Sequence, residues 1–239
     1  MPAASPSGFG EFQSVGFPVP VEKPAISGML LEGSRALGLP LTQAQADALS
    51  WLAGELGRWS ARINLTAILD PIEMADKHIL DSLTVLRALE AGTTTLLDAG
   101  SGAGFPGLPI AIARPELSVT LVDGAAKKVG FLKHAIAQLR LAPRVRARHL
   151  KLQGNPAAEG LGPFDAAVSR ALTEPARWAH LAAPYLRPGG TLVVMTGSQA
   201  EPTTLQGWGA PRVDQLRLPL TGDGRTLLSY RKASEVAAP

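Results

Sequence analysis

Leu96-Leu97-Asp98-Ala99-Gly100-Ser101-Gly102-Ala103-Gly104-Phe105-Pro106-Gly107 is the stretch on which the fold turns. An apolar run reads as a buried strand, glycines at 100, 102 and 104 follow it, and Pro106 opens a helical pattern. Glycine lets the backbone come close to a ligand, and the first turn of a helix offers N–H groups with no partner inside the helix. In an open parallel sheet, ligands lie at this point, beyond the carboxyl end of a strand.

Outward from this loop, short apolar runs alternate with helical patterns. The sequence predicts strands at 95–98, 118–123, 145–149, 166–169 and 191–195, and helices at 106–113, 127–139 and 175–185. Strands separated by helices pair in parallel through right-handed crossovers. Beyond Pro211 the runs 213–220 and 225–231 flank Thr221-Gly222-Asp223-Gly224 and read as an antiparallel hairpin. Upstream, Thr42 is placed to cap a helix running to Trp59, with Ala46, Leu49, Leu52 and Leu56 on its apolar face. Pro71 opens a second helix whose apolar positions include Ile72, Met74, Ile79, Leu80 and Leu83. Residues 1–27, rich in proline and glycine, have no sustained period and read as a disordered tail. The expected organisation is that tail, an N-terminal helical extension at 28–92, a ligand-binding domain at 93–232 and a C-terminal tail at 233–239. The fold class is α/β, a Rossmann-like doubly wound sheet closed by a C-terminal antiparallel hairpin.

The 239 residues include no cysteine. Disulfides, thiolate nucleophiles, Cys-ligated zinc and Fe–S clusters are therefore excluded. The histidines lack partners at ligand spacing, so no metal site is expected. Residues 1–27 do not read as a secretory leader, and no apolar stretch approaches the ~18 residues of a membrane span, so a cytoplasmic protein with no membrane partner is expected. Nothing suggests an obligate dimer, and a monomer is expected. A net charge of +3 permits an anionic partner without demanding one.

Two cofactor readings compete for the loop. Gly102-x-Gly104-x-x-Gly107 matches the dinucleotide fingerprint, which would make an NAD(P)-binding oxidoreductase. Asp98-x-Gly100-x-Gly102-x-Gly104 matches the acidic-then-glycine loop of S-adenosylmethionine (SAM) methyltransferases. Asp98 favours SAM, because a carboxylate at the strand end suits the cationic amino acid part of SAM and repels a pyrophosphate. Asp123 ends the next strand, where it can accept bonds from both ribose hydroxyls; that role serves either cofactor. Leu186-Arg187-Pro188-Gly189-Gly190 reads as a helix exit through a turn into a strand, and in this order it looks like the penultimate-strand approach of class I methyltransferases.

A closer resemblance rests on several blocks in order. They are Asn64-Leu65-Thr66, Glu73-Met74, His78-Ile79-Leu80-Asp81-Ser82, the loop ending Gly104-Phe105-Pro106-Gly107, Phe131-Leu132, Phe164-Asp165 and Ser169-Arg170-Ala171. The series resembles the RsmG (GidB) family of bacterial small-subunit rRNA methyltransferases, over roughly 42–231. The resemblance implies methylation of N7 of one guanine in the 530 loop of 16S rRNA, with SAM as donor and the small subunit or an assembly intermediate as partner. It also implies SAM contacts at Gly100, Phe105, His149, Leu150 and Arg170. Two positions depart from the family pattern. Leu150 stands where an acidic residue is usual, and Thr196-Gly197 where Lys-Gly is frequent.

The chemistry agrees with that implication. C5 methylation of cytosine would call for a cysteine nucleophile. Exocyclic amine methylation usually comes with an Asn/Asp-Pro-Pro-aromatic loop, where this chain has Ser169-Arg170-Ala171. Guanine N7 carries a lone pair and no proton, so it needs placement rather than a general base. Ser169 and Arg170 are accordingly read as positioning groups. For RNA contact the candidates are Arg144, Arg146 and Arg148, which share one strand face, with Lys77, His78 and Asn64. Their alternatives are a solvated strand edge, a helix histidine bonding Asp81 or a carbonyl, and a cap at Asn64. A non-catalytic RNA-binding module on the same fold is the second alternative function.

Overall fold

The computed structural model describes residues 26–170, 174–197 and 201–233. The tail up to residue 25, Ala171 of the Ser-Arg-Ala block and residues 234–239 lie outside the described residues. Seven strands form one sheet: β1 (Thr95–Ala99), β2 (Ser118–Asp123), β3 (Val145–His149), β4 (Phe164–Arg170), β5 (Leu186–Gly197), β6 (Arg212–Arg217) and β7 (Gly224–Arg231). Their order is β3-β2-β1-β4-β5-β7-β6. β1 to β5 pair in parallel, whereas β7 enters antiparallel between β5 and β6. The order reverses between β1 and β4, which opens a crevice at their carboxyl ends. This is the doubly wound sheet with a closing hairpin that the alternation predicts.

Helices α5 (Gly107–Ala113) and α6 (Ala126–Gln138) follow β1 and β2, and α7 (Pro156–Glu159) and α8 (Pro175–Ala182) follow β3 and β4. The N-terminal part holds α1 (Ser27–Ala36), α2 (Gln43–Ile63), α3 (Pro71–Glu73), a π-helix at Met74–Leu80 and α4 (Asp81–Thr84). One face of the sheet, with Leu96, Leu121, Val168 and Met195, shares a core with α1, α2, α5 and α6. The other, with Leu97, Val122, Val194 and Leu228, packs on Trp178 of α8 and Tyr185. Alternate residues of β1, β2, β4 and β5 thus serve opposite cores, which is why these strands read as continuous apolar runs. Among the described residues no helix is long and apolar enough to cross a membrane.

Thr42 caps α2 with a reciprocal bond set to Gln45, and the helix continues past Trp59 to Ile63. The Gln45 amide also closes the C-terminal end of α5, donating to the carbonyls of Ile112 and Ala113 at 3.2 and 3.0 Å. Several expectations are corrected. Ile26 and Ser27, which the sequence assigns to the tail, are buried at the start of α1, the rest of which lies in the expected helical extension. Its Gly28, Gly33 and Ser34 are poor helix formers, but packing decides: a methyl on Gly33 would sit 2.4 Å from Leu80 Cδ1. Ile72, expected in the apolar face, is 46% exposed, since the chain from Met74 winds as a π-helix and shifts the buried face. Arg187 to Gly190, read as a turn, lies within β5 across a register shift against β4. The hairpin turn spans 218–223, closed by Leu218 N–H on Asp223 O at 2.8 Å.

Candidate functional site

The loop after β1 is held from inside. Gly100 and Ser101 N–H donate to Val122 O at 2.8 and 3.0 Å, and Gly104 and Phe105 N–H donate to Ser101 O at 2.7 and 3.0 Å. Gly102 N–H donates to Asp123 Oδ2 and Gly107 N–H to Asp98 Oδ2, both at 2.9 Å. Glycines 100, 102 and 104 take φ of 70, 56 and 93°, a region that disfavours any side chain. The expected free N–H groups are therefore largely spent within the loop. That is a poor cradle for a pyrophosphate and a rigid wall for a ligand bound by other groups.

Asp98 lies inside this geometry. It is fully buried, it lines neither of the two cavities described next, and its role is to hold Gly107. Burial, only partly offset by the Gly107 and Ser101 bonds and by Arg170, pushes its carboxyl up to about 7. Its Oδ1 has no hydrogen-bond partner among the described residues.

Two cavities open at the carboxyl ends of the strands. The smaller, about 260 Å³, is lined by Ala99, Gly100, Asp123, Leu150, Lys151, Leu152, Arg177 and Leu181 among others. Asp123 accepts from Gly102 through Oδ2 and from Ala125 through Oδ1, at 2.9 and 2.8 Å. Each oxygen keeps a further lone pair, so the carboxylate can still serve ribose hydroxyls. Leu150 presents an apolar side chain here, and its N–H is already bonded to Asp123 O at 3.1 Å. His149 is exposed and bonds Gly124 O at 3.1 Å, which steadies the turn after β2.

The larger cavity, about 700 Å³, is lined by Ile68, Lys77, His78, Asp81, Ser169, Arg170, Glu174, Trp178, Thr196 and Arg225 among others. Pairing of Asp98 with Val168 sets Ala99, on the smaller cavity, beside Ser169, on the larger. Ser169 is buried, and its Oγ has no partner among the described residues. A polar cluster forms the floor. Arg170 donates to Lys77 O at 3.0 Å and to His78 Nδ1 at 3.3 Å, and it lies 3.8 Å from Asp81 Oδ2. Arg225 donates to Asp81 Oδ1 at 2.9 Å. Phe105, also buried, stacks on His78 with centroids 4.7 Å apart, and Arg170 Cζ lies 5.5 Å from the Phe105 ring centre. Burial first, then Arg170, lowers His78 to about 4. Burial raises Asp81 and lowers Arg170, each opposed by the other's charge.

Most candidate RNA contacts are committed elsewhere. Arg144 donates to Ala111 O at 2.6 Å and Leu117 O at 3.1 Å, so it ties the end of α5 to β2. Arg148 reaches the carbonyls of Glu159 and Gly160, while Arg146 is exposed on the edge strand β3. Lys77 is paired with Glu73 at 2.8 Å and Asp223 at 3.3 Å. His78 is 7% exposed, and its ring nitrogens meet Thr66 Oγ1 and Arg170 rather than the Asp81 carboxylate or carbonyl that the helix-histidine alternative names. Asn64 is the left-handed C-cap of α2, with φ 54°. The sequence reading missed Asp76, Arg225 and the Thr66–His78 contact. Asp76, fully buried, accepts from Thr221 N–H at 2.7 Å and Thr221 Oγ at 2.6 Å, fastening the β6–β7 turn to the π-helix. An aspartate on an apolar helix face is the signal that could have flagged it.

Comparison with known proteins assigns the architecture. A predicted O-methyltransferase from Agrobacterium tumefaciens superposes with a TM-score of 0.50 at 18% identity, over 67% of this chain and 82% of that one, which speaks for the fold alone. A ribosomal RNA small subunit methyltransferase G from Anaeromyxobacter sp. (strain Fw109-5) is 43% identical over 215 residues, 87% of this chain and 99% of that protein. Its namesake from Anaeromyxobacter dehalogenans (strain 2CP-C) is 44% identical over 209 residues, 85% of this chain and 96% of that protein. The family described as rRNA small subunit methyltransferase G (GidB) matches residues 45–218, and the chain belongs to it.

Proposed function

We propose that this protein transfers the methyl group of SAM to N7 of one guanine in the 530 loop of 16S rRNA, acting in the cytoplasm on the small subunit or an assembly intermediate. The observation that carries the reading is the pair of adjoining cavities at the β1/β4 crevice, in a chain whose family is named for methylating small-subunit rRNA.

The residues present fit the donor. Asp123 keeps lone pairs for ribose hydroxyls, Leu150, Leu152 and Leu181 offer apolar contacts to an adenine, and Arg170 offers N–H groups to a carboxylate. Gly100, Gly102, Gly104 and Phe105 shape the wall between, and His149 braces its edge. When bound, SAM supplies a sulfonium-activated methyl group. Guanine N7 attacks with its own lone pair, so the chain has to supply in-line placement at about 3–3.5 Å and exclusion of water. The polar floor is rigid enough for such placement, since His78 has both ring nitrogens engaged and Asp81 is held between Arg225 and Arg170. The attack spreads positive charge onto the purine, so Arg170 serves the donor or an RNA oxygen rather than N7 itself. The dinucleotide reading is weaker, because the loop N–H groups a pyrophosphate would need are already bonded.

Small subunits from a strain lacking this enzyme, incubated with the protein and labelled SAM, test the reading. Label is expected at one guanine, cleavable by aniline after reduction. Label at another atom, or none from a protein that binds S-adenosylhomocysteine, overturns it.

A further inference from the structure

Arg170 enters the floor of the larger cavity from the end of β4, and the π-helix meets it. Its NH1 donates to Lys77 O and its NH2 to His78 Nδ1. A guanidinium can only donate, so Nδ1 is the acceptor and the ring proton sits on Nε2. That proton finds Thr66 Oγ1 at 2.8 Å, and the same oxygen accepts the Ile68 N–H at 3.0 Å. The tautomer is therefore set by a chain running Ile68, Thr66, His78, Arg170. The ring's face is set as well: it lies 13° from the plane of Phe105. Burial keeps the imidazole neutral at working pH, so it stays an acceptor beside a fixed cation. Among the described residues two of the five guanidinium N–H groups are used in this way, which leaves three to offer a ligand. Asp81, at 3.8 Å from NH1, is beyond hydrogen-bond distance and is engaged by Arg225 at 2.9 Å.

We infer that His78, as its neutral Nε2–H tautomer, is a positioning residue that aims the Arg170 guanidinium at the carboxylate end of the methyl donor. The assignment rests on the proposed donor site. It replaces an RNA contact at His78 with a role inside the cavity, and it gives the π-helix a purpose. An i→i+5 segment widens the turn so that Lys77 O and the His78 ring reach one side chain together.

Asparagine places an acceptor near the position of Nδ1, and glutamine places its amide near Nε2. The pair His78→Asn and His78→Gln therefore separates the bond to Arg170 from the bond to Thr66. The probes are S-adenosylhomocysteine and 5′-methylthioadenosine, which lacks the amino acid end, titrated calorimetrically into the full chain. His78→Gln is expected to lose about tenfold in affinity for S-adenosylhomocysteine, and His78→Asn to stay within about threefold of wild type. Methylthioadenosine affinity should be unchanged in both. Thr66→Val, nearly isosteric, frees the tautomer and should lose affinity for S-adenosylhomocysteine alone, by a smaller factor; it keeps the test available if either His78 variant fails to fold. Equal losses in His78→Asn and His78→Gln, a loss shared by methylthioadenosine, or unchanged affinity in Thr66→Val and His78→Gln overturns the inference. Wild-type protein that binds neither probe overturns the donor site itself.

Discussion

Substituting Gly107 by alanine tests whether the loop is held from inside. Gly107 opens α5 with ordinary helical backbone, so its φ does not demand glycine; space does. A methyl there would lie 2.2 Å from Leu121 Cδ2, 2.7 Å from Asp98 Oδ2 and 3.1 Å from Asp98 Cβ. Carbon pairs are comfortable only at about 3.5–4.0 Å. Leu121 and Asp98 are both fully buried on strands, so neither can withdraw without moving β2 or β1. Overpacking of this kind costs about 1–3 kcal/mol. Loss of the bond from Gly107 N–H to the Asp98 carboxyl adds about 1.5–3 kcal/mol. Alanine's better helix propensity returns about 1 kcal/mol. The net expectation is a destabilisation of about 1.5–5 kcal/mol, a large part of a typical domain's 5–15 kcal/mol. Gly130→Ala is the control, since Gly130 lies within α6 and a methyl on it meets nothing within 4 Å; it should stabilise by about 0.5–1 kcal/mol. Urea unfolding followed by tryptophan fluorescence reads both. A Gly107→Ala protein within about 1 kcal/mol of wild type would refute the claim that Asp98 and Leu121 leave no room.

Other expectations follow from the same contacts. His78, lowered from 6.5 to about 4, leaves stability untouched above pH 6.5; as pH falls toward 4 the unfolded chain takes up a proton that the folded one refuses. The loss reaches about 3 kcal/mol, and the difference in unfolding free energy between wild type and His78→Asn should show it as an acid limb. Asp98 runs the other way: raised to about 7, it costs stability above pH 7, and the cost is relieved as pH falls toward 4, so wild type should gain on Asp98→Asn through that window. Arg144→Ala removes two bonds to carbonyls and should cost about 1–3 kcal/mol in urea unfolding while leaving S-adenosylhomocysteine affinity unchanged. Asp76→Ala strips the β6–β7 turn of its buried acceptor and should cost about 2–4 kcal/mol, with amide exchange rising at Leu220 and Thr221.

What the sequence discloses about this chain divides by the range of the interaction involved. The strands, the glycine loop, the Thr42 cap and the Pro71 helix start are written in neighbouring residues, and the structure places them within a few positions of expectation. Within the expected helical extension the bounds of α1 escape, because its Gly28, Gly33 and Ser34 argue locally against a helix and the close approach of Gly33 to Leu80 favours it. The π-helix escapes because a pattern of three- and four-residue steps contains no word for an i→i+5 turn.

Charged side chains are the least legible, since their partners are distant. Arg144, Arg146 and Arg148 share a strand face and look alike in sequence, yet the carbonyls of Ala111 and Leu117 claim the first and those of Glu159 and Gly160 the third. Asp98 likewise looks like a ligand's carboxylate until burial and Gly107 define it as a brace. The converse holds at the cavity floor. The blocks Asn64-Leu65-Thr66, His78 to Ser82, Gly104-Phe105 and Ser169-Arg170 are separate markers along the chain, but Thr66, His78, Phe105, Asp81 and Arg170 touch one another in space. Four of the seven blocks that carry the resemblance thus form one physical object, a stacked and hydrogen-bonded cluster around a single guanidinium. Substituting one member should therefore disturb the others more than its own contacts suggest, and double-mutant cycles between Thr66 and Arg170, which do not bond each other, are where that coupling would appear.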